Sequence, residues 1–410
     1  MPTRLLCFVI LGVIVAAGTE ALSQVQTEVP AVVPGAKPVT VEHIKIHGAA
    51  LEGNLEGDAV DRDAIVFVPP SYAKDKHRRY PVVYALHGYS IGAEQWSHEI
   101  HVPQTIEGAF AQGSREMIVV LPDSKTVHNG SMYSSSVTTG DFEKFISHDV
   151  VAYIDAHYRT IPDRTSRGLV GHSMGGYGAT RIGMKHADVF GSLYIMSPCC
   201  LAPRTARPAD PELEKTLEAV KTADDSAKLP FFARAQLASA AAWSPDPKNP
   251  PLYLDLPMKD GAAQPDVLAK WTANAPLAFI DQYIGGLRQY RGIAIDVGDK
   301  DGLQADTTKL HDVLLAFAIA RRWPGVLSNA LEPGWVPTKM GGRGAPDDLD
   351  QGHRTQVWLA ASNDKDATVT GQYFFHMRPR KPNPATRDPL IQDALIDACS
   401  RLSGVPLPLK

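Results

Sequence analysis

Apolar residues along this chain fall into short continuous runs separated by stretches with helical spacing. Between residues 41 and 300 the runs are Ala64–Val68, Pro81–Leu86, Met117–Leu121, Gly168–Val170, Leu193–Met196 and Ile293–Val297. They are continuous rather than alternating, as expected of strands covered on both faces. Between them, residues 141–157 place Phe142, Phe145, Ile146, Val150 and Ile154 along one helical face, with Asp141 at the N-cap position. Such alternation predicts an α/β fold, a mostly parallel sheet with helices on both faces. Residues 202–285 break the rhythm with Pro, Ala and charged positions and read as a helical insertion over the strand ends, where substrate-shaping segments sit. Beyond it, Leu310, Val313, Leu314, Phe317 and Ala318 mark a further helix capped by Asp306, and Val326–Leu331 a further strand.

The N-terminus changes the picture at one end. Arg4, the apolar run Leu5–Gly18 and the small residues of Ala21-Leu22-Ser23 read as a secretory signal over 1–23, cleaved before Gln24. That predicts a secreted or periplasmic protein without a stable membrane anchor, because the run is too short for a spanning helix. Residues 24–40, rich in Val, Pro, Thr and Gln, read as a linker; 41–305 form the main domain and 306–410 a C-terminal segment. The formal charge of −4 over 410 residues supplies no basic patch for nucleic acid. Three cysteines follow the signal, Cys199, Cys200 and Cys399, an odd number that excludes a fully paired framework. No spacing suggests a metal, and no cofactor is expected.

The candidate chemistry centres on Gly171-His172-Ser173-Met174-Gly175. A short strand runs into it and a glycine-rich helix leaves it, so the serine must occupy a tight turn that lifts its hydroxyl out of the sheet. An attacking serine needs donors for the oxyanion it creates. The Met174 N–H is one, and the Tyr89 N–H, after Gly88 in the loop that follows Ala85-Leu86-His87, is the second. His87 is read as ordering that loop, and His98, His101 and His128 as lining the mouth. An acid belongs at the end of a later strand, where Asp299 and Asp301 both qualify.

With those residues in place, positions of about 60–320 resemble the esterase D-like family of α/β-hydrolases, which includes feruloyl esterases, acetyl xylan esterases, formylglutathione hydrolases and mycolyl transferases. The resemblance rests on Tyr80–Gly88, the serine turn with its Gly-Gly-Tyr-Gly extension, and Asp296–Leu303. It implies an acyl-enzyme mechanism on a small-molecule or carbohydrate-linked ester, with Ser173 as nucleophile and Asp301 as acid. The family's histidine lies in a loop after one more helix and strand, but here that loop, Glu332–Gly342, holds none. From about Lys309 to Pro406 the chain instead resembles the C-terminal part of short-chain dehydrogenases, through Asn329–Thr338, Thr355–Ala360 and Gly371–Phe375. That family's glycine-rich nucleotide turn is absent, and Ala305 stands where its tyrosine would be. The resemblance therefore leaves an NAD(P)-dependent oxidoreductase as a remote alternative. His353 and His376 follow the last strand in chain order, and His353, after a glycine, is the named base. The expectation is a secreted serine ester hydrolase impaired by the lost histidine loop; the alternative is a non-catalytic relative that binds an ester or glycan.

Overall fold

The computed structural model describes residues 29–203, 210–296, 305–332, 348, 350–382 and 384–403. Ten strands form one sheet: β1 (Thr40–His47), β2 (Asp61–Val68), β3 (Val82–Leu86), β4 (Ile118–Pro122), β5 (Arg167–His172), β6 (Ser192–Met196), β7 (Gly292–Asp296), β8 (Leu327–Glu332), β9 (Tyr373–Phe375) and β10 (Arg378–Pro379). Their spatial order is β1-β2-β4-β3-β5-β6-β7-β8-β9-β10. From β4 through β9 all neighbours run parallel, while β1, β2 and β10 pair antiparallel. This is the doubly covered α/β arrangement that the apolar runs predict.

Helices flank both faces. On one lie α1 (Ala93–Glu99) and α2 (Val102–Ala111), whose Trp96 and Val102 pack with Ile65, Phe67, Ala85, Val119 and Leu121. On the other, a helical rod comprises α3 (Phe142–Lys144), a π-helical turn (Phe145–Val150) and α4 (Val151–His157). All five apolar residues read onto its inner face are buried, and Asp141 caps it, accepting the Lys144 N–H at 2.9 Å. α5 (Met174–Lys185) packs against β5, β6 and β3.

Between β6 and β7 the insertion folds as α6 (Pro211–Glu218), α7 (Ala223–Ala227), α8 (Phe231–Trp243), α9 (Pro265–Ala273), α10 (Pro276–Phe279) and α11 (Ile284–Leu287). It is docked rather than loose. Trp243 Nε1 donates to Ser134 Oγ at 3.1 Å, Ser136 Oγ donates to the Ala241 carbonyl at 2.6 Å, and α8 buries Ala233, Leu237, Ala238 and Ala240–Ala242.

After β7 come α12 (Ala305–Arg322), β8, α13 (Gln351–Ala361), β9, β10 and α14 (Pro389–Ser403). Leu314, Phe317 and Ala318 of α12 are buried as their spacing predicts. The β8–α13–β9 unit adds a parallel strand to the sheet through a helical crossover. The signal segment 1–23 lies outside the described residues. Part of the linker is seated: the Val39 N–H donates to Glu107 at 2.9 Å, and Pro30, Ala31 and Val33 lie against α2 and α13. Among the described residues no helix is long and apolar enough to cross a membrane.

Candidate active site

Ser173 joins β5 to α5 with φ 57° and ψ −113°, a left-side conformation that a non-glycine residue adopts only when its surroundings impose it. Those surroundings are backbone hydrogen bonds. The Ser173 N–H donates to the Met196 carbonyl at the end of β6 (3.0 Å), and its carbonyl accepts from Tyr177 (3.0 Å) and Cys199 (3.2 Å). Small neighbours are required. A Cβ on Gly171 would lie 2.0 Å from the Gly175 carbonyl oxygen, and one on Gly175 would lie 2.0 Å from that of Leu86. Met174 is the first residue of α5, so its N–H has no acceptor within the helix and carries the helix's partial positive charge.

The loop after β3 is held from beneath. His87 is fully buried; its Nδ1–H donates to the Gly88 carbonyl (2.9 Å) and its Nε2 accepts the Ser124 N–H (2.8 Å). Burial pulls its pKa down, which keeps the ring neutral in that tautomer. The Tyr133 hydroxyl donates to the His87 carbonyl at 3.0 Å. Tyr89 is brought beside the serine turn: a Cβ on Gly130 would lie 2.6 Å from Met174 Sδ and 2.7 Å from the Tyr89 ring. The Tyr89 hydroxyl donates to the His128 carbonyl at 2.8 Å, and its ring meets Phe231 of α8 edge-on at 5.2 Å. Ser173, Met174 and the loop of Tyr89 therefore share one neighbourhood.

Asp299 and Asp301 lie outside the described residues. The described carboxylate at the end of β7 is Asp296, which the sequence reading absorbed into the strand. Its signal was available: an acid within Ile293-Ala294-Ile295-Asp296-Val297 must be paired or neutral once both faces of the sheet are covered. Asp296 is buried, accepts the Tyr194 hydroxyl at 2.9 Å and receives a further bond from Gln356. Burial pushes its pKa to about 7, although Tyr194, Gln356 and Ser197 oppose the rise.

The histidines are dispersed. His353 sits in the first turn of α13, with Nε2 3.9 Å from Asp350. It lines a groove of about 320 Å³ with Arg354, Trp358, Gln104 and Val33, and Ser173 is not among the lining residues. His376 follows β9, stacks on Phe375 at 3.7 Å and lies four strands from β5, roughly 19 Å at ~4.8 Å per strand. His98 pairs with Glu94 at 2.8 Å, and His101 precedes α2 at φ 51°. His128 is buried, with Ser226 Oγ 2.7 Å from Nδ1 and Glu56 3.6 Å from Nε2, so both ring nitrogens face protein groups. Among the described residues, no three His, Cys, Asp or Glu converge as a metal site would require.

Comparison with known proteins gives two kinds of match. A 101-residue stretch is 43% identical to short-chain dehydrogenase chry4 of Gibberella zeae, covering 24% of this chain and 39% of that one. A 140-residue stretch is 29% identical to an endo-1,4-beta-xylanase/feruloyl esterase of Xylanibacter ruminicola, covering 33% of this chain and 19% of that one. This chain thus spans about two fifths of the curated dehydrogenase and less of the xylanase/esterase. Among solved structures, a ferulic acid esterase aligns with 64% of this chain and 80% of its own, at 23% identity and a TM-score of 0.44. The family model described as "Putative esterase" matches residues 59–334, which hold the serine turn, the Tyr89 loop and the end of β7. More than half of the chain is covered by that match, and the chain belongs to this esterase family.

Proposed function

We propose that this chain is an exported carboxylic-ester hydrolase that acts through an acyl-enzyme on Ser173. The observation that carries the reading is the strained Ser173 conformation between β5 and α5, held by Met196, Tyr177 and Cys199. Ser173 Oγ attacks the ester carbonyl, and the oxyanion is received by the Met174 and Tyr89 N–H groups. Collapse expels the alcohol, and water then releases the acid. Asp301 is the proposed acid and His353 the proposed base. The groove around His353 argues for slow turnover, with much of the rate enhancement left to the oxyanion donors. The dehydrogenase-like tail supplies a strand and its cover rather than cofactor chemistry. The apolar N-terminal run supports export to a secreted or periplasmic setting, where a small-molecule or carbohydrate-linked ester is the substrate.

The test is hydrolysis of p-nitrophenyl acetate and butyrate by the wild type, Ser173→Ala and His353→Ala. A rate lost in both variants supports the full triad. A rate lost only in Ser173→Ala supports the nucleophile and reassigns the base. Equal rates in wild type and Ser173→Ala overturn the hydrolase reading, leaving the second one, a non-catalytic ester or glycan binder, which the placement of His353 favours.

A further inference from the structure

We infer that Arg234, on the insertion helix α8, is an anchor for a carboxylate carried by the substrate beyond its ester bond. This deepens the proposed hydrolase reading and rests on it.

Arg234 Nη2 donates to the Val127 carbonyl at 2.7 Å, and Nε is enclosed without any hydrogen-bond acceptor. Among the described residues no carboxylate lies within ion-pair distance of this guanidinium, whereas Arg62, Arg167 and Arg181 each hold one. Glu56, the carboxylate beside His128, is buried against Asp58, and burial together with the Asp58 charge pushes its pKa well up. A half-buried cation bonded to a single carbonyl pays for desolvation without the return an anion gives.

Position gives that imbalance a purpose. Arg234 follows Phe231 by three residues, so the two share a side of α8. Phe231 meets the Tyr89 ring, and Tyr89 lies beside Met174, next to Ser173. The guanidinium is close enough to Tyr89 and His128 to act on the ionisation of both. The Tyr89 and Phe231 rings pack in succession away from the serine turn, and Arg234 lies one helical turn beyond Phe231 on α8. An acyl chain lying along those rings and ending in a free carboxylate satisfies both, since a planar carboxylate pairs with guanidinium N–H donors side by side. The substrate class is a monoester of a dicarboxylic acid.

Binding can be measured without turnover. Monomethyl glutarate and dimethyl glutarate are titrated calorimetrically into full-length Ser173→Ala, and into the same chain with Arg234→Gln or Arg234→Lys. The expected result is that monomethyl glutarate binds Ser173→Ala, loses about tenfold or more in affinity with Arg234→Gln, and recovers part of it with Arg234→Lys. Dimethyl glutarate should not distinguish the variants. No binding of monomethyl glutarate, equal loss for both esters, or tighter Arg234-dependent binding of methyl phosphate would each overturn the assignment. Arg234→Lys keeps the charge and guards against a folding failure of Arg234→Gln. The p-nitrophenyl assays test the hydrolase reading separately, so failure of either is distinguishable.

Discussion

Gly175→Ala puts the packing of the serine turn to a quantitative test. The added Cβ would lie 2.0 Å from the Leu86 carbonyl oxygen, 2.6 Å from its carbon and 2.8 Å from the His87 carbonyl oxygen. A carbon and a carbonyl oxygen settle about 3.3 Å apart or more, so α5 and the end of β3 must separate by about 1 Å. Both partners are backbone, at the end of the central strand β3 and the start of the loop that follows it, and neither can rotate away. Overpacking of this kind costs about 1–3 kcal/mol, and the upper end applies here. The displaced segment leads directly into Tyr89, whose N–H is the proposed second oxyanion donor. Loss of one such donor lowers kcat by roughly 10²–10³ with KM nearly constant. The control is Gly285→Ala in α11, where no heavy atom lies within 4 Å of the new Cβ. That variant should be as stable as the wild type or slightly more so. Urea unfolding reads the stability and p-nitrophenyl butyrate kinetics the rate. A Gly175→Ala protein unfolding within about 0.5 kcal/mol of wild type, or turning over normally, refutes the packing argument.

Three further outcomes follow from buried charge. Asp296 has a folded pKa of about 7, above its unfolded value, so the folded state holds the extra proton and stability falls as pH rises from about 4 to 7, by an amount on the order of 4 kcal/mol; Asp296→Asn should flatten that slope in unfolding curves taken across the window. His128 behaves oppositely: burial and the Arg234 charge lower its pKa to about 4, so stability is full above about 6.5 and is lost as pH falls towards 4, on the order of 3 kcal/mol, and His128→Gln should remove this acid-side loss. Burial would raise Glu143, but His186, Arg181 and Lys185 outweigh it and hold its pKa at about 2, so its stabilisation is present above about 4.5 and lost below; Glu143→Gln should cost about 3 kcal/mol at pH 7, because Arg181 is then buried without its carboxylate, and unchanged urea unfolding would contradict this.

The sequence was most readable where burial acts on both faces of a strand. The runs at 64–68, 81–86, 117–121 and 193–196 are strands because a sheet covered on both faces favours apolar residues there. β1 was missed for the complementary reason: Ile44 and Ile46 alternate with the exposed His43, Lys45 and His47 on a strand at the sheet's edge, Val41 lies exposed on the polar side, and the linker before it hid its start. The serine turn was legible because its geometry demands small residues at fixed offsets from Ser173. Asp296 was not, since nothing local says that a carboxyl will be fully buried and bonded by Tyr194, 102 positions away, and by Gln356. Chain order placed His353 after the last core strand, but the side of α13 it occupies depends on packing against α2 and residues 30–33, which periodicity alone does not encode.

The two margins of the sheet bear on how the protein behaves when concentrated. An open strand is a template onto which another copy can add its own, the first step towards cross-β aggregates. At one margin β1 exposes His43, Lys45 and His47, whose polar groups would have to be stripped of water before a neighbour could pair. At the other the parallel array stops at a two-residue antiparallel strand, Arg378–Pro379, where the proline offers no N–H and the arginine stands in solvent. Among the described residues neither margin presents a long apolar ladder, so the molecule can carry apolar inner strands such as β3, β4 and β6 between them and still resist templated self-association.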